Sequence, residues 1–230
     1  MCELLGMECN NPTDILFSFA GFAKRGGRTG PHGDGWGLAF YEEHAARIFL
    51  DPRPCAESPL ASFLHHHSIK TELAIAHIRK KTVGELSLAN THPFQRGRFV
   101  FAHNGTVDTT QLIAQTAPEH TASLAGTTDS EKLFMFVLSH IDRAGEVTAG
   151  VTAAIRALHA LGSLGSASFL ISDGEKLFAH RLGRALFTTQ RRGVTLIASE
   201  PLTDNDRWTE ISERQLVVLE RPQPSGILAA

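Results

Sequence analysis

Cysteine is scarce in this chain. The three that occur, Cys2, Cys9 and Cys55, form an odd set in no metal-like spacing. Neither a disulfide framework nor a zinc site is indicated. An excess of one charge is lacking too, since 22 basic against 24 acidic residues leave a net charge of −2. Basic residues gather only at Lys24-Arg25 with Arg28 and at Lys80-Lys81. A nucleic-acid binder shows a basic stripe or patch, so that class is set aside. No apolar run approaches the ~18 residues that span a bilayer. The opening, MCELLGMECNN, has no basic region followed by a long apolar stretch, so it does not read as a secretory signal. The expected location is the cytoplasm, where a thiol stays reduced.

What is present is a globular composition, 42% hydrophobic and 20% charged over 230 residues. That suffices for one sizeable core and a single domain over 1–230. Arg25 to Gly37 holds six glycines and one proline and reads as a long functional loop rather than a domain boundary. Pro201–Asp206 and the tail from Pro222 read as further loops, and no internal repeat or low-complexity segment occurs.

Short apolar or alternating runs between turn-formers predict strands at Glu3–Met7, Trp36–Tyr41, Ala46–Leu50, Leu73–Ile78 and Arg98–Ala102. The same pattern recurs at Ala167–Ser172, Lys176–Arg181, Ala185–Thr189, Val194–Ser199 and Gln215–Glu220, with Asp173-Gly174 a hairpin turn. Helical spacing predicts helices over Asp129–Arg143 and Val147–Leu161. Thr128 and Glu131 have capping-box spacing ahead of the first. A further helix is expected after Pro12, a residue suited to a first helical turn. Two helices in mid-chain, with strands before and after, do not alternate as a βαβ series would. The expected class is therefore α+β with antiparallel sheets, and helices outside two stacked sheets would be consistent with it.

Cys2 stands where removal of one methionine makes it the amino terminus, and a small second side chain normally permits that removal. Thiol and free α-amine would then share one residue. A terminal amine has a pKa of roughly 7.7–8.0, so much of it is an unprotonated base near neutrality. Such a thiol is activated without a histidine partner. By position alone, a cysteine at residue 2 is an ordinary occurrence.

Behind Cys2 come four further patches: His32-Gly33-Asp34-Gly35-Trp36-Gly37; Ala76-His77-Ile78-Arg79 through Asn90-Thr91-His92-Pro93-Phe94; Ala102-His103-Asn104-Gly105; and Thr128-Asp129-Ser130-Glu131. In this order the five patches resemble the class II glutamine amidotransferase domain, an N-terminal-nucleophile hydrolase. The likeness is in particular to small stand-alone bacterial members that begin MCELLGM. It extends through Arg25-Gly26-Gly27 and Gly30-Pro31-His32 to Pro201-Leu202-Thr203 and Trp208, nearly the whole chain.

The resemblance implies a four-layer αββα sandwich and cleavage of a γ-glutamyl amide through a Cys2 thioester. It makes Asn104 and Gly105 the oxyanion donors, although Asn-Gly is also a common turn. It makes Arg79 the partner of a substrate α-carboxylate and Asp129 the partner of its α-ammonium. Each also has an ordinary structural reading, a surface arginine and an acidic helix start. Thr82, His92 and His103 are implied along the substrate pocket, and His92 also reads as ordering the loop before Pro93. The glycines of Gly33–Gly37 read as architectural, allowing tight approach to the nucleophile strand, with Asp34 hydrogen-bonding the terminal amine or loop amides. Synthase members carry an aromatic after the arginine and a histidine after the threonine. Here stand Lys80 and Val83, which bears on how the pocket closes and on whether glutamine is preferred.

The chemistry implied requires no metal and no organic cofactor. His65-His66-His67 reads as a solvated helix end, because adjacent side chains diverge, and Cys9 and Cys55 read as small buried hydrophobes. The length leaves no room for the acceptor domain of the synthases. Ammonia would go to a separate accepting protein, or the chain is a plain glutaminase or a hydrolase of γ-glutamyl peptides or thiol metabolites. A non-catalytic glutamyl-binding module is the alternative if Met1 is retained. A homodimer is left open, and neither nucleic acid nor membrane is expected as a partner.

Overall fold

The structure is a computed structural model and describes residues 2–220 apart from 16–18, 20, 24, 28, 29, 31, 44 and 163. In chain order the strands begin β1 (Glu3–Asp14), β2 (Trp36–Glu42), β3 (Ala45–Asp51), β4 (Lys70–Ile78), β5 (Phe94–Arg96) and β6 (Phe99–Val107). They continue with β7 (Gly165–Ser172), β8 (Lys176–His180), β9 (Phe187–Arg191), β10 (Val194–Ala198), β11 (Thr209–Glu210) and β12 (Leu216–Glu220). The helices are α1 (Pro59–His65), α2 (Thr110–Gln115), α3 (Pro118–Ala122), α4 (Asp129–Ala144) and α5 (Val147–Ala160).

Strand periodicity explains the layering. Along β1, Leu5, Met7 and Cys9 join one buried cluster while Leu4 joins another. A strand apolar on both faces must lie between two covering layers. The order β11-β9-β10-β1-β4-β2-β3 makes β1 the centre of a seven-stranded sheet. The second sheet has five strands, ordered β12-β8-β7-β6-β5, and the pairings of both are antiparallel.

Three apolar clusters fill the three gaps between four layers. Phe19, Phe22 and α1 residues Ala61 and Leu64 cover the outer face of the first sheet. Leu4, Ala39 and Ile75 meet Val100, Ala102, Leu170 and Leu177 between the sheets. Phe101, Phe169 and Phe178 of the second sheet meet α4 and α5, with Phe101 stacked on Phe134 at 4.9 Å. This is the αββα sandwich expected above. Among the described residues no helix is long and apolar enough to cross a membrane.

The ten expected strands all appear, and the two mid-chain helices appear within a residue of their expected ends. The expected placement of Pro12 in a first helical turn is corrected: Pro12 lies in β1. It falls where pairing with β4 shifts register between Glu8 and Thr13, a site that asks no ladder hydrogen bond of a proline. Phe19 and Gly21–Ala23 are helical, and the rest of that segment lies outside the described residues. Ahead of α4, the Thr128 hydroxyl accepts from Glu131 N at 3.2 Å. The Glu131 carboxylate reaches further back than a capping box, accepting from Ala125 N, Gly126 N and Arg96 at 2.7–2.9 Å.

Candidate active site

Cys2 immediately precedes β1 and is half-buried, whereas Cys9 and Cys55 are buried. Its Sγ lies 3.3 Å from both the amide nitrogen and the carbonyl oxygen of Lys80. Burial pushes the Cys2 thiol above its ordinary value. The Lys80 amide, the charged amino terminus and Arg79 pull it down, while Asp129 adds to the rise. The thiol thus rests against the turn that follows β4.

Arg79 is the first residue past β4 and is 3% exposed. Its amide donates to Gly35 O at 2.8 Å, and its guanidinium donates to the carbonyls of Val83, Gly84 and Glu85 at 2.9–3.4 Å. It makes no ion pair with a carboxylate among the described residues, and burial lowers its pKa. A buried guanidinium without a counter-anion is a costly arrangement. A substrate carboxylate would relieve it.

Asp129 opens α4, where the helix terminus favours a carboxylate. One of its oxygens accepts from Val107 N at 2.9 Å. That bond also locates Gly105. The Ala167 amide turns to Leu182 O at 2.8 Å, away from β6. The facing Gly105–Ala167 pair is thus a non-hydrogen-bonded one, whose N–H groups point away from the partner strand. β5 pairs only as far as Phe101, so the Gly105 N–H faces the same open edge as the Val107 N–H bound to Asp129. Glycine is required here, because a Cβ would stand 2.0 Å from Ser166 O and 2.7 Å from His103 Nε2. We expect Gly105→Ala to lose about 3 kcal/mol of stability or more. The denaturant midpoint measures this, and an unchanged midpoint would refute the packing argument.

Asn104 turns the other way, between the sheets, and its Nδ2 donates to Ser199 Oγ at 3.3 Å. Ser199 Oγ also accepts from Leu4 N at 2.9 Å, and Ser199 N donates to Leu4 O at 3.1 Å. Asn104 is thereby tied to the strand that carries Cys2.

The other expected pocket residues differ in placement. His103 Nε2–H donates to Ser166 O at 3.0 Å, which leaves Nδ1 to accept from the Ser130 hydroxyl at 2.8 Å. Both nitrogens are committed, so His103 holds β6 against the start of α4 and offers no donor to a substrate. Burial depresses its pKa, against the pull of Asp129. His92 is buried between His77 and Phe94, with ring centroids 4.2 and 4.4 Å away. Among the described residues the ring nitrogens of His92 have no hydrogen-bond partner, and those of His77 have at most a weak approach to the His103 backbone. Burial holds His92 well below its usual value, and His77, Arg79 and His103 lower it further. Thr82 is an exposed loop residue whose side chain bonds to none of the others among the described residues.

The glycine-rich segment is architectural, with one correction. It approaches Arg79 and the loop before Pro93 rather than the nucleophile strand, because β4 separates β2 from β1. A Cβ on Gly37 would stand 2.3 Å from His92 O. Asp34 accepts from Lys81 N at 2.7 Å, and Asp34 N donates to Arg79 O at 3.2 Å, so this loop holds the turn against which Sγ rests. Arg25 adds a clamp, bonding Glu3 and Glu200 at 3.0 and 2.9 Å and Pro201 O at 2.8 Å.

Ser199, Ser130 and Ser166 were not singled out from the sequence. Ser199 carried one signal, a polar residue closing the apolar run of β10 just before the Pro201 loop. His66 and His67 Nδ1 donate to Ser62 O and Phe63 O at the end of α1, and no metal-binding group of three occurs among the described residues.

A family model described as "Glutamine amidotransferases class-II" matches residues 1–193. The Escherichia coli (strain K12) protein YafJ, named as a candidate glutamine amidotransferase, is 40% identical over 92% of this chain and 94% of its own. The gamma-glutamyl-hercynylcysteine sulfoxide hydrolase of Mycobacterium tuberculosis (strain H37Rv) is 29% identical over 80% of this chain and 74% of its own. The crystal structure of a predicted glutamine amidotransferase from Pseudomonas aeruginosa PA01 covers 100% of both chains with TM-score 0.67 and 31% identity.

Proposed function

The chain belongs to the class II glutamine amidotransferases, and from that premise we propose that it hydrolyses the γ-amide of glutamine or a related γ-glutamyl compound through a thioester on Cys2. The observation that carries this reading is geometric: Cys2 Sγ rests 3.3 Å from the backbone of Lys80, next to the buried Arg79, while Asp129 accepts from Val107 N on the strand edge that the Gly105 N–H also faces. A zwitterionic α-amino acid head needs one fixed cation and one fixed anion, with the reactive carbonyl held away from both. Arg79, which makes no ion pair among the described residues, takes the α-carboxylate. The carboxylate of Asp129 takes the α-ammonium.

The resting thiol is neutral, so attack requires a base. Once Met1 is removed, the α-amine of Cys2 fills that role, directly or through a water. As sulfur bonds to the γ-carbon, the carbonyl oxygen becomes an oxyanion that receives hydrogen bonds from Asn104 Nδ2 and the Gly105 N–H. The protonated amine passes its proton to the leaving nitrogen as the C–N bond breaks, giving the γ-glutamyl thioester and free ammonia or amine. Water, deprotonated by the same amine, then releases glutamate and restores the thiol.

The similarity to a γ-glutamyl-hercynylcysteine sulfoxide hydrolase favours a second reading for the leaving group, an amine larger than ammonia. Initial rates on glutamine, glutathione and bulkier γ-glutamyl amines, beside intact mass before and after a diazo-ketone glutamine analogue, test both. We expect loss of Met1, one adduct on Cys2 and turnover of γ-glutamyl compounds only. A marked preference for bulky leaving groups selects the second reading. No adduct and no turnover overturns both and leaves a glutamyl-binding module. A separate ammonia acceptor and a single domain over the whole chain belong to the same proposal.

A further inference from the structure

Two buried hydroxyls tie the stacked sheets together at opposite ends. At the end remote from Cys2, Tyr41 of β2 donates to the carbonyl oxygens of Ser172 and Arg98 at 3.0 and 2.8 Å. At the site end, Ser199 accepts from Leu4 N of the first sheet and from Asn104 Nδ2 of the second. The layer between is apolar, and apolar burial is non-directional. It holds the sheets together without fixing how one is set against the other. Hydrogen bonds are directional to within tens of degrees and a few tenths of an ångström.

From this we infer that Ser199 is a positioning residue for the reaction proposed above, on which the inference rests. It sets the Asn104 carboxamide against the strand that bears Cys2. With both lone pairs of Ser199 Oγ engaged, one Asn104 Nδ2 hydrogen is held and the other is left for the oxyanion. Ser199 is 7% exposed and Asn104 5%, so water does not readily replace either partner. The link joins residues 95 apart in sequence, and among the described residues no hydrogen bond local in the chain duplicates it. Without the hydroxyl, the carboxamide turns about its own torsions, while the Tyr41 tie keeps the setting of the sheets and the β4 turn and α4 keep Arg79 and Asp129 where they are. The loss therefore falls on the chemical step and leaves substrate binding unchanged.

The test compares Ser199→Ala with Tyr41→Phe, each of which deletes one buried inter-sheet hydroxyl, and with Ser199→Thr, which keeps it. Displacing an oxyanion donor costs about 10- to 100-fold. For Ser199→Ala we expect that loss in kcat with KM unchanged, a shifted or broadened Asn104 side-chain amide resonance, and a melting temperature lowered about as much as in Tyr41→Phe. Tyr41→Phe retains kcat within about two-fold, since nothing of the oxyanion geometry changes. Ser199→Thr recovers most of the lost rate and the resonance position. A kcat in Ser199→Ala equal to that of Tyr41→Phe overturns the inference, as does an Asn104 resonance that stays in place. Absence of turnover in the wild-type protein overturns the γ-glutamyl reading instead. The Asn104 resonance then still decides whether the tie exists, because it is read without substrate.

Discussion

Cys2→Ala is expected to abolish the proposed γ-glutamyl hydrolysis, with a loss in kcat of about 10⁴-fold or more. In the proposed mechanism the sulfur is the atom that bonds to the γ-carbon, and neither Cys9 nor Cys55 can stand in for it. Burial pushes Cys9 up to about 11 and Cys55 up to about 12, so both are inert thiols inside the first sheet's outer cluster. The substitution is also structurally mild, since among the described residues Sγ hydrogen-bonds only the Lys80 backbone. The melting temperature should therefore be retained.

Alanine is small enough for Met1 still to be removed, so the variant keeps a free terminal amine and removes only the sulfur. A companion with one alanine inserted between Met1 and Cys2 keeps the sulfur and displaces the amine. It too should lose turnover, while still reacting with a small alkylating agent. Steady-state rates on glutamine and glutathione read the first variant. Activity within about tenfold of wild type would end the thioester mechanism.

Why some of this was legible in the sequence and some was not can be followed along β6. The strand was expected to stop at Ala102, because His103-Asn104-Gly105 breaks the apolar alternation. It continues to Val107 because Ser130 and Ser166 satisfy His103, Ser199 satisfies Asn104, and glycine fits beneath Ser166 O. Those partners lie 27 to 95 residues away, beyond the reach of any local pattern. Pro12 misled for the same reason, since the bulge that accommodates it is a property of the pairing between β1 and β4. The three-residue β5 and two-residue β11 are too short to show a period. Arg79 and Asp129 were reached only through the family resemblance, since an arginine past an apolar strand and a carboxylate at a helix start each have an ordinary local reading. That His103 serves the framework appeared only when both ring nitrogens were accounted for.

Stability will fall steeply as the pH drops from about 6.5 toward 4, and buried neutral histidines are the cause. Burial pushes His77 down to about 3, and His103 and Arg79 nearby lower it further while the His103 backbone offsets part of the shift. His180 is held near 4 by burial; its Nδ1–H donates to Ala167 O at 3.2 Å and its Nε2 accepts from His159 at 3.0 Å. His92 and His103 are depressed in the same direction. The sign follows from proton uptake. Near an ordinary value of about 6.5 the unfolded imidazoles take up protons that the folded ones refuse, so acid favours the unfolded chain.

The stabilisation is fully present above about pH 6.5 and is lost at about 1.4 kcal/mol per pH unit for each such histidine until its folded value is reached. His77 and His180 together remove about 4 kcal/mol by pH 5, a large share of the 5–15 kcal/mol typical of a domain. Denaturant midpoints at pH 7, 6 and 5 measure the slope. His77→Phe should keep the ring contact with His92, cost little stability at pH 7 because its ring nitrogens lose at most a weak approach to the His103 backbone, and make the pH dependence shallower. A midpoint flat between pH 7 and 5 would mean that these imidazoles charge within the fold. The neutral cluster behind Arg79 would then be wrong.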